Sequence, residues 1–363
     1  MDNHLVDVGL LFGGESLEHE VSIVSARSVA QNLDPALFCI KPIGVARNGV
    51  WAVLGDPFER LSNGELPEKS SCPFLPLEAG AEQFPPPDVV FNIIHGAGGE
   101  DGQIQGYLEL LKIPYTGAGR LALALTMDKW MAKRVWESEG LPVTPYRAIS
   151  EEGWNQDQDG FIEQCKALGM PLFVKPSNSG SSVGIEKVRD FADLQKTIEN
   201  AFLYDRRILV ESGLDAREIE VAVLGGDDPI VSMPGEVLVT GEFYDFADKY
   251  VNGKSQTLIP AELDDELAKK IMGMARRAFV SIDGYGLARV DFFVQRETGD
   301  VFINEMNTIP GFTSISMFPK LIENVGIPYR EQLTRLIELA IARDRQMVDK
   351  QIDFHSGSEW FSS

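Results

Sequence analysis

Residues 289–307 read RVDFFVQRETGDVFINEMN, which places two apolar segments on either side of a short polar loop. This pattern predicts a β-hairpin. If the hairpin is symmetric about the central threonine of the loop, Asp291 lies opposite Glu305 and Arg289 lies opposite Asn307. Side chains alternate between the two faces of a strand, so these four polar side chains are expected on one face.

Two facing carboxylates on this hairpin would repel each other unless a cation lies between them. Asp291, Glu305 and the carbonyl oxygen of Asn307 are hard oxygen ligands, which suit Mg²⁺ together with phosphate oxygens of a substrate. Arg289 is placed to hold an anion beside the metal. A second interpretation stays open, namely a solvated hairpin face with an arginine–carboxylate ion pair. The opposite face is predicted to be mostly apolar and carries Val290, Phe292, Val294, Phe302, Asn304 and Met306.

A phosphate-binding loop is the interpretation we favour for residues 175–184, which read KPSNSGSSVG. The segment follows a short apolar strand at 172–174 and offers small residues, backbone N–H groups and hydroxyls that can wrap an oligophosphate. Lys175 adds a positive charge where the strand ends. A flexible surface loop is the alternative. The Walker A pattern does not occur, and a G-x-G-x-x-A match at 117–122 favours a tight turn with helix packing over a dinucleotide site.

Two further segments carry weaker signals. Residues 308–316 read TIPGFTSIS, a Pro-Gly turn whose backbone N–H groups suit a carboxylate, although a simple turn explains it equally well. Residues 243–250 mix aromatic and charged residues ahead of a loop at 251–255. Lids that exclude water have this composition, and so do ordinary surface loops.

The first hundred residues predict a βαβ arrangement with a parallel sheet. Strands are expected at 6–12, 38–45 and 88–94, with helices at about 16–32 and from 101, and an irregular stretch at 56–87. Later in the chain, helices are expected at 127–139, 160–168 and 329–343, before a polar end.

The composition limits the function classes. The chain has 363 residues, 33 Lys and Arg against 55 Asp and Glu, and therefore a formal charge of −22. So acidic a chain disfavours nonspecific binding to nucleic acid. No apolar run approaches the ~18 residues of a membrane span, and the start of the chain lacks the pattern of a signal peptide. The three cysteines are scattered, so a cytoplasmic protein without disulfides is expected.

Seven segments stand together in the order typical of one enzyme family. They are GGESLEHEVS at 13–22, HGAGGEDG at 95–102, MDK at 127–129, the 175–184 loop, KY at 249–250, RVD at 289–291, and EMNT followed by PG at 305–311. Residues 5–343 therefore resemble the D-alanine–D-alanine ligases of the ATP-grasp superfamily. The resemblance implies a three-domain α/β fold with an amino-terminal Rossmann-like (pre-ATP-grasp) parallel sheet, and ATP between the last two domains. The implied boundaries are 1–126, 127–211 and 212–345, with a polar tail at 346–363.

On the nucleotide side, the resemblance implies that Lys129 and Lys175 hold phosphates of ATP, while the loop containing Ser182 closes over them. Glu211 and Glu218 are implied to contact adenine and ribose. The metal ligands implied are again Asp291, Glu305 and Asn307. In the family they would hold two Mg²⁺ ions, for which Mn²⁺ can substitute.

On the amino-acid side, the resemblance implies that Glu18 binds the ammonium group of the first D-alanine, with His95 nearby. Ser181, Tyr250 and Glu18 resemble the linked trio that closes the lid in the family. No Ser-His-Asp or Cys-His nucleophile is needed, because phosphoryl transfer depends mainly on positioning and charge neutralisation.

The second half-reaction involves another group of residues. By the same resemblance, Arg289 and the backbone of Gly311 stabilise the tetrahedral oxyanion, and Ser316 with Lys249 binds the second carboxylate. The intact Lys249-Tyr250 pair favours an amine over a hydroxyl as the second nucleophile. A D-serine or D-lactate acceptor and a catalytically silent binding protein on the same fold remain as alternatives. The resemblance also implies a homodimer.

Overall fold

The computed structural model describes residues 5–52, 56–64, 86–180, 183–238 and 256–348. The lid predicted at 243–255 and most of the polar tail lie outside the described residues.

The amino-terminal sheet has the predicted parallel arrangement. Its strands follow the order β3-β2-β1-β4, in which β1 is parallel to both β2 and β4, and β3 is antiparallel to β2. They are β1 (Val6–Gly13), β2 (Phe38–Val45), β3 (Trp51–Ala52) and β4 (Val89–Asn92). The flanking helices are α1 (His19–Asn32) and α3 (Gln103–Leu110). Helix α1 begins three residues later than expected. Ser16, where the helix was expected to begin, lies outside it, and its hydroxyl donates a hydrogen bond to the carbonyl of His95.

The stretch predicted to be irregular contains a short helix, α2 (Pro57–Ser62). Asp56 caps it by accepting hydrogen bonds from the N–H groups of Phe58 and Glu59, and proline occupies the first helical position. An aspartate followed by proline is a recognisable helix start, so the prediction of irregular structure was wrong here. Residues 65–85 of that stretch lie outside the described ranges.

The helix predicted at 127–139 is present as α5 (Lys129–Ser138). A separate helix, α4 (Arg120–Met127), precedes it and ends just before Asp128. Asp128 has an extended backbone and accepts a hydrogen bond from the N–H of Met131, so it caps α5. The turn before α4 supports the packing interpretation of the glycine pattern. A side chain on Gly286 would meet the Cα of Gly117 at 2.8 Å, which shows that two backbones pass closely there.

A second sheet is antiparallel and follows the order β5-β8-β6-β7. Its strands are β5 (Tyr146–Ser150), β6 (Leu172–Pro176), β7 (Glu186–Val188) and β8 (Arg207–Ser212). One face packs against α6 (Glu151–Gln156), α7 (Gln158–Lys166) and α8 (Phe191–Ala201) around a core that includes Trp154, Phe161, Leu194 and Ile198. The other face is left for the site.

A third, antiparallel sheet carries the hairpin. Its order is β12-β11-β9-β13-β14, with β10 also paired to β9. The strands are β9 (Ala216–Gly225), β10 (Ile230–Val231), β11 (Gly235–Leu238), β12 (Gln256–Leu258), β13 (Gly286–Gln295) and β14 (Val301–Asn307). The remaining helices are α9 (Asp265–Ser281), α10 (Met317–Asn324) and α11 (Tyr329–Val348). Helix α11 extends five residues beyond its predicted end, and its apolar face shares one core with the amino-terminal sheet.

Candidate active site

The hairpin of β13 and β14 has the predicted pairing at its polar end. Asp291 lies opposite Glu305, and Arg289 lies opposite Asn307. All four residues line the same cleft. The prediction that they share one face is therefore confirmed by the register.

The loop is not symmetric, however, and one detail of the prediction was wrong. A bulge after Asp291 shifts the pairing by one residue, so Phe292 lies opposite Ile303. Ile303 is consequently buried, whereas Phe302 and Asn304 are only partly buried. The bulge shifts the alternation by one position, because Asn304 and Glu305 are both partly buried and the next buried residue is Met306.

Arg289 holds Asp291 in a two-pronged contact. Its Nε donates to Oδ1 and its Nη2 donates to Oδ2, each at 2.7 Å. The side-chain amide of Asn307 also donates to Asp291 Oδ2, at 2.9 Å. The arginine–carboxylate ion pair that the sequence left as an alternative is thus present. It lies inside the cleft, with both side chains less than 15% exposed, and not on a solvated surface.

Glu220 lies beside the paired carboxylates Asp291 and Glu305, and the sequence analysis missed it. It lies on β9 directly opposite Asp291, so that three carboxylates follow one another across β9, β13 and β14. Its Oε2 is 3.1 Å from Nε of Arg289, and its side chain is 6% exposed. The alternation of charged and apolar residues in 218–221 was an available signal, since it marks a strand with one polar face.

The donor set fits a divalent cation that is completed by a substrate. Within the described ranges, no three His, Cys, Asp or Glu side chains form a cluster able to hold a metal by themselves. Asp291, Glu305 and Asn307 nonetheless present adjacent hard oxygens in the cleft. Mg²⁺ commonly binds through one or two carboxylates together with phosphate oxygens and water, so an incomplete protein set is what such a site requires.

Lys129 connects the hairpin to the glycine- and serine-rich loop. Its Nζ donates to the carbonyl oxygen of Ser179 at 2.6 Å and lies 3.9 Å from Oε2 of Glu305. The start of α5 is anchored beneath it, because the capping Asp128 also pairs with Arg207 and with the hydroxyl of Ser177. A cation is therefore fixed at the junction of the loop and the carboxylates.

Glu211 lies between two lysines on the facing sheet. Lys175 Nζ donates to its Oε2 at 2.7 Å, and Lys133 Nζ lies 3.1 Å from its Oε1. Burial alone would raise the pKa of Glu211, but the two ammonium groups hold it below its usual value. Lys133 was not predicted. It follows Lys129 by four residues on α5, so helical periodicity already placed both lysines on one side of the helix.

The carboxylate of Glu18 lies beside two glycines. A side chain on Gly96 would meet Glu18 Oε2 at 2.7 Å, and one on Gly180 would meet it at 3.5 Å. Gly96 also has a φ of +72°, a conformation that disfavours other residues. The Gly96 turn thus leaves space for the carboxylate where α1 begins.

His95 is buried behind Glu18. Its Nδ1 is 2.7 Å from the carbonyl oxygen of Ile309, and its Nε2 is 3.1 Å from the hydroxyl of Ser25. A carbonyl only accepts, so Nδ1 carries the proton and Nε2 accepts from Ser25. Burial lowers the pKa of His95, against the opposing effect of the Glu18 carboxylate, so the neutral ring is favoured.

Glu100 is a second residue that the sequence analysis did not single out, although it belongs to the HGAGGEDG segment. It accepts hydrogen bonds from the N–H groups of Gly96 (2.9 Å) and Ile309 (3.0 Å). Burial, reinforced by the nearby charge of Glu18, raises its pKa to about 8. Glu100 therefore joins the 95–101 turn to the segment that follows the hairpin.

The segment at 308–316 forms a tight turn at the cleft. The N–H of Thr313 donates to Ser316 Oγ at 3.1 Å, and the two hydroxyls lie 2.8 Å apart. A side chain on Gly311 would meet Ser316 Oγ at 3.3 Å. Ser316 precedes α10 without capping it through its side chain, and it lines the cleft with Gly311.

One cleft of about 1460 Å³ unites these residues. Twelve predicted residues line it: Glu18, His95, Lys129, Lys175, Glu211, Glu218, Arg289, Asp291, Glu305, Asn307, Gly311 and Ser316. Glu218 reaches it from β9, opposite Phe293. The other four predicted residues, Ser181, Ser182, Lys249 and Tyr250, lie outside the described ranges.

Comparison with known proteins gives one consistent result. Family models described as D-ala D-ala ligase N-terminus and D-ala D-ala ligase C-terminus match residues 7–118 and 135–338. A D-alanine–D-alanine ligase of Caldicellulosiruptor bescii is 44% identical over 349 residues, covering 93% of this chain and 96% of the relative. The structure of a D-alanine–D-alanine ligase from Coxiella burnetii has a TM-score of 0.81 and 34% identity, covering 95% and 96% of the two chains. A D-Ala:D-Ser ligase structure from Enterococcus faecalis has a TM-score of 0.78 and 32% identity, covering 93% and 100%.

The fold and the cleft define an ATP-grasp enzyme, in which lysines and a carboxylate hairpin face each other across one cleft. The chain belongs to the D-alanine–D-alanine ligase family. In the parts of the chain that the structure describes, no helix is both long and apolar enough to cross a membrane.

Proposed function

We propose that the protein joins two D-alanine molecules into D-alanyl-D-alanine at the expense of ATP, for the synthesis of peptidoglycan precursors. The observation that carries the proposal is the single cleft, because it brings together cations for phosphates, oxygens for a metal and groups for an amino acid. The choice of substrate is supported by relatives that are D-alanine–D-alanine ligases and that match this chain over more than nine-tenths of its length.

The first step transfers the terminal phosphoryl group. A carboxylate oxygen of the first D-alanine attacks the γ-phosphorus, the bond to the bridging oxygen breaks, and ADP leaves a D-alanyl phosphate. Lys129 and Lys175 would hold the phosphates, and the loop containing Ser181 and Ser182 would close over them. Glu18 would hold the ammonium group of this D-alanine, and the neutral His95 orders the surrounding turn. The adenine and ribose would contact Glu211 and Glu218.

Asp291, Glu305 and Asn307 would hold two Mg²⁺ ions, or Mn²⁺ in their place. When bound, these ions supply charge neutralisation for the phosphate oxygens. Arg289 already neutralises one carboxylate of the set, which reduces repulsion in the row before substrates arrive.

The second step forms the peptide bond. The neutral amine of the second D-alanine attacks the acyl carbon and loses a proton. The bond to the phosphate oxygen then breaks, and inorganic phosphate leaves. Arg289 and the backbone N–H at Gly311 would stabilise the oxyanion in between. Ser316 and Lys249 would bind the carboxylate of the second substrate, and Tyr250 with Ser181 and Glu18 would close the lid that excludes water.

Three properties of the whole protein belong to the same proposal. The chain would comprise domains at 1–126, 127–211 and 212–345, with a tail at 346–363. It would act in the cytoplasm, where its nucleotide and the precursors of the cell wall occur. It would form a homodimer.

The decisive experiment measures phosphate release from ATP and Mg²⁺ with D-alanine alone, and with D-serine or D-lactate added, while mass spectrometry identifies the product. We expect D-alanine alone to support turnover and to give the dipeptide. A requirement for D-serine or D-lactate would reassign the acceptor. No release with any of the three would exclude a ligase acting on these substrates.

A further inference from the structure

Lys133 is the most deeply buried lysine near the nucleotide cleft. Its side chain is 1% exposed and that of its partner Glu211 is 2% exposed. Its Nζ is 3.1 Å from Glu211 Oε1 and lies over the ring of Tyr146, 5.6 Å from the ring centre. Tyr146 and Glu211 are directly paired on neighbouring strands, so the ring and the carboxylate together enclose the ammonium group.

Lys175 contacts the same carboxylate but differs in access. Its Nζ donates to Glu211 Oε2 at 2.7 Å, its side chain is 12% exposed, and it lines the cleft. Each carboxylate oxygen of Glu211 thus has its own lysine. One lysine is enclosed, and the other lies where a phosphate of the nucleotide is proposed to bind.

Binding of ATP would break one of the two contacts of Glu211. If Lys175 turns towards a phosphate, Glu211 loses its hydrogen-bond donor, and a buried carboxylate without a counter-ion is strongly unfavourable. Lys133 cannot follow, because it is enclosed on the opposite side of Glu211. It therefore remains as the positive charge next to the carboxylate.

We propose that Lys133 is a positioning residue of the nucleotide site. It keeps Glu211 charged and oriented while Lys175 moves to the phosphates, so that Oε2 becomes free to accept a hydrogen bond from the amino group of the base. The inference rests on the proposed function for the identity of the nucleotide. It goes further in assigning a role to a residue that contacts neither the nucleotide nor the amino acids.

The test compares Lys133→Met, Glu211→Gln and the double variant with the unchanged protein. Lys166→Met is the matched control, because Lys166 is an exposed lysine on α7 paired with Glu163. Steady-state kinetics give separate KM values for ATP and D-alanine, and calorimetry with ADP measures nucleotide affinity without turnover. Wild-type turnover tests the proposed function, whereas ADP affinity can be read even if D-alanine is not the substrate.

We expect Lys133→Met to raise the KM for ATP and the Kd for ADP roughly 30-fold, equivalent to about 2 kcal/mol. The KM for D-alanine should stay within about threefold. In the Glu211→Gln background the same change should cost no more than about threefold, because no charge remains to be balanced. Unchanged nucleotide affinity in Lys133→Met, or an equal loss in both backgrounds, would overturn the inference.

The inference can still be tested if Lys133→Met fails to fold. If Lys133→Met does not fold, the double variant removes both buried charges and is expected to fold, since replacing a complete buried ion pair is often neutral. Its ADP affinity is then compared with that of Glu211→Gln. A further loss of more than about tenfold in the double variant would contradict a role exerted through Glu211.

Discussion

Replacement of Glu100 by glutamine should change how the stability of the protein depends on pH. Two backbone N–H groups hold this carboxyl group between the 95–101 turn and Ile309, and its pKa is raised from 4.5 to about 8. Burial is the main cause, and the charge of Glu18 adds to it. At neutral pH the side chain is therefore mostly protonated in the folded protein and ionised in the unfolded chain.

The sign and size follow from proton linkage. Between the two pKa values the folded state holds a proton that the unfolded chain has released, so each rise of one pH unit destabilises the protein by about 1.36 kcal/mol. The stability that the folded protein gains by keeping Glu100 protonated is fully present below pH 4.5 and is lost as the pH rises towards about 8. Between about pH 5.5 and about pH 7.5 the loss is about 2.7 kcal/mol. Glutamine resembles the protonated acid in shape and has no such dependence.

The assay is thermal unfolding of both proteins without ligand at the two pH values. With an unfolding entropy of about 2.1 cal/mol/K per residue, 363 residues convert this energy into about 3.5 °C. The Tm of Glu100→Gln minus that of the wild type should therefore rise by about 3.5 °C from the lower to the higher pH. An exposed glutamate on α6 provides the control, and Glu152→Gln should show no such change. If this difference in Tm changes by less than about 1 °C between the two pH values, Glu100 is not protonated in the folded protein at neutral pH.

Three other substitutions test separate parts of the site. Glu305→Gln removes one charge from the proposed metal set and should lower kcat at least about 100-fold in the phosphate-release assay, with an unchanged fold. Asp128→Asn leaves a guanidinium without its buried partner and should cost about 3 kcal/mol, or about 4 °C in Tm. Gly96→Ala places a methyl group 2.7 Å from the Glu18 carboxylate and should reduce kcat/KM for D-alanine roughly tenfold.

Each of these changes has a matched control in the same chain. Glu297→Gln alters the hairpin loop away from the cleft and should retain turnover, and activity retained in Glu305→Gln as well would contradict the metal assignment. Asp190→Asn alters an exposed helix cap and should cost at most about 1 kcal/mol. If Asp128→Asn loses no more stability than Asp190→Asn, the ion pair between Asp128 and Arg207 does not stabilise the folded protein. Gly98→Ala imposes similar backbone strain with no atom within 4 Å, so equal kinetics in both glycine variants would exclude the steric argument.

The acidic hairpin shows how far the sequence alone could reach. Strand alternation and a short loop were sufficient to place Asp291 opposite Glu305, because both are local properties of the chain. The bulge that follows Asp291 was not predictable, since its position depends on which apolar side chains find space against α9 and its neighbours. Glu220 was missed for a related reason: only the pairing of β9 with β13 places it opposite Asp291.

The sequence by itself determined the family, the order of strands and helices along the chain, and the residue types that can hold phosphate and metal. These follow from local periodicity and from motifs whose spacing is fixed along the backbone. Only the tertiary structure decided that Lys133, buried in α5, stands beside Glu211 of β8, 78 positions away by their numbering. It also decided that Glu100 accepts a hydrogen bond from the N–H of Ile309, which lies 209 positions further along the chain. Such contacts depend on how separate elements pack, and burial then sets the charge states that the sequence leaves open.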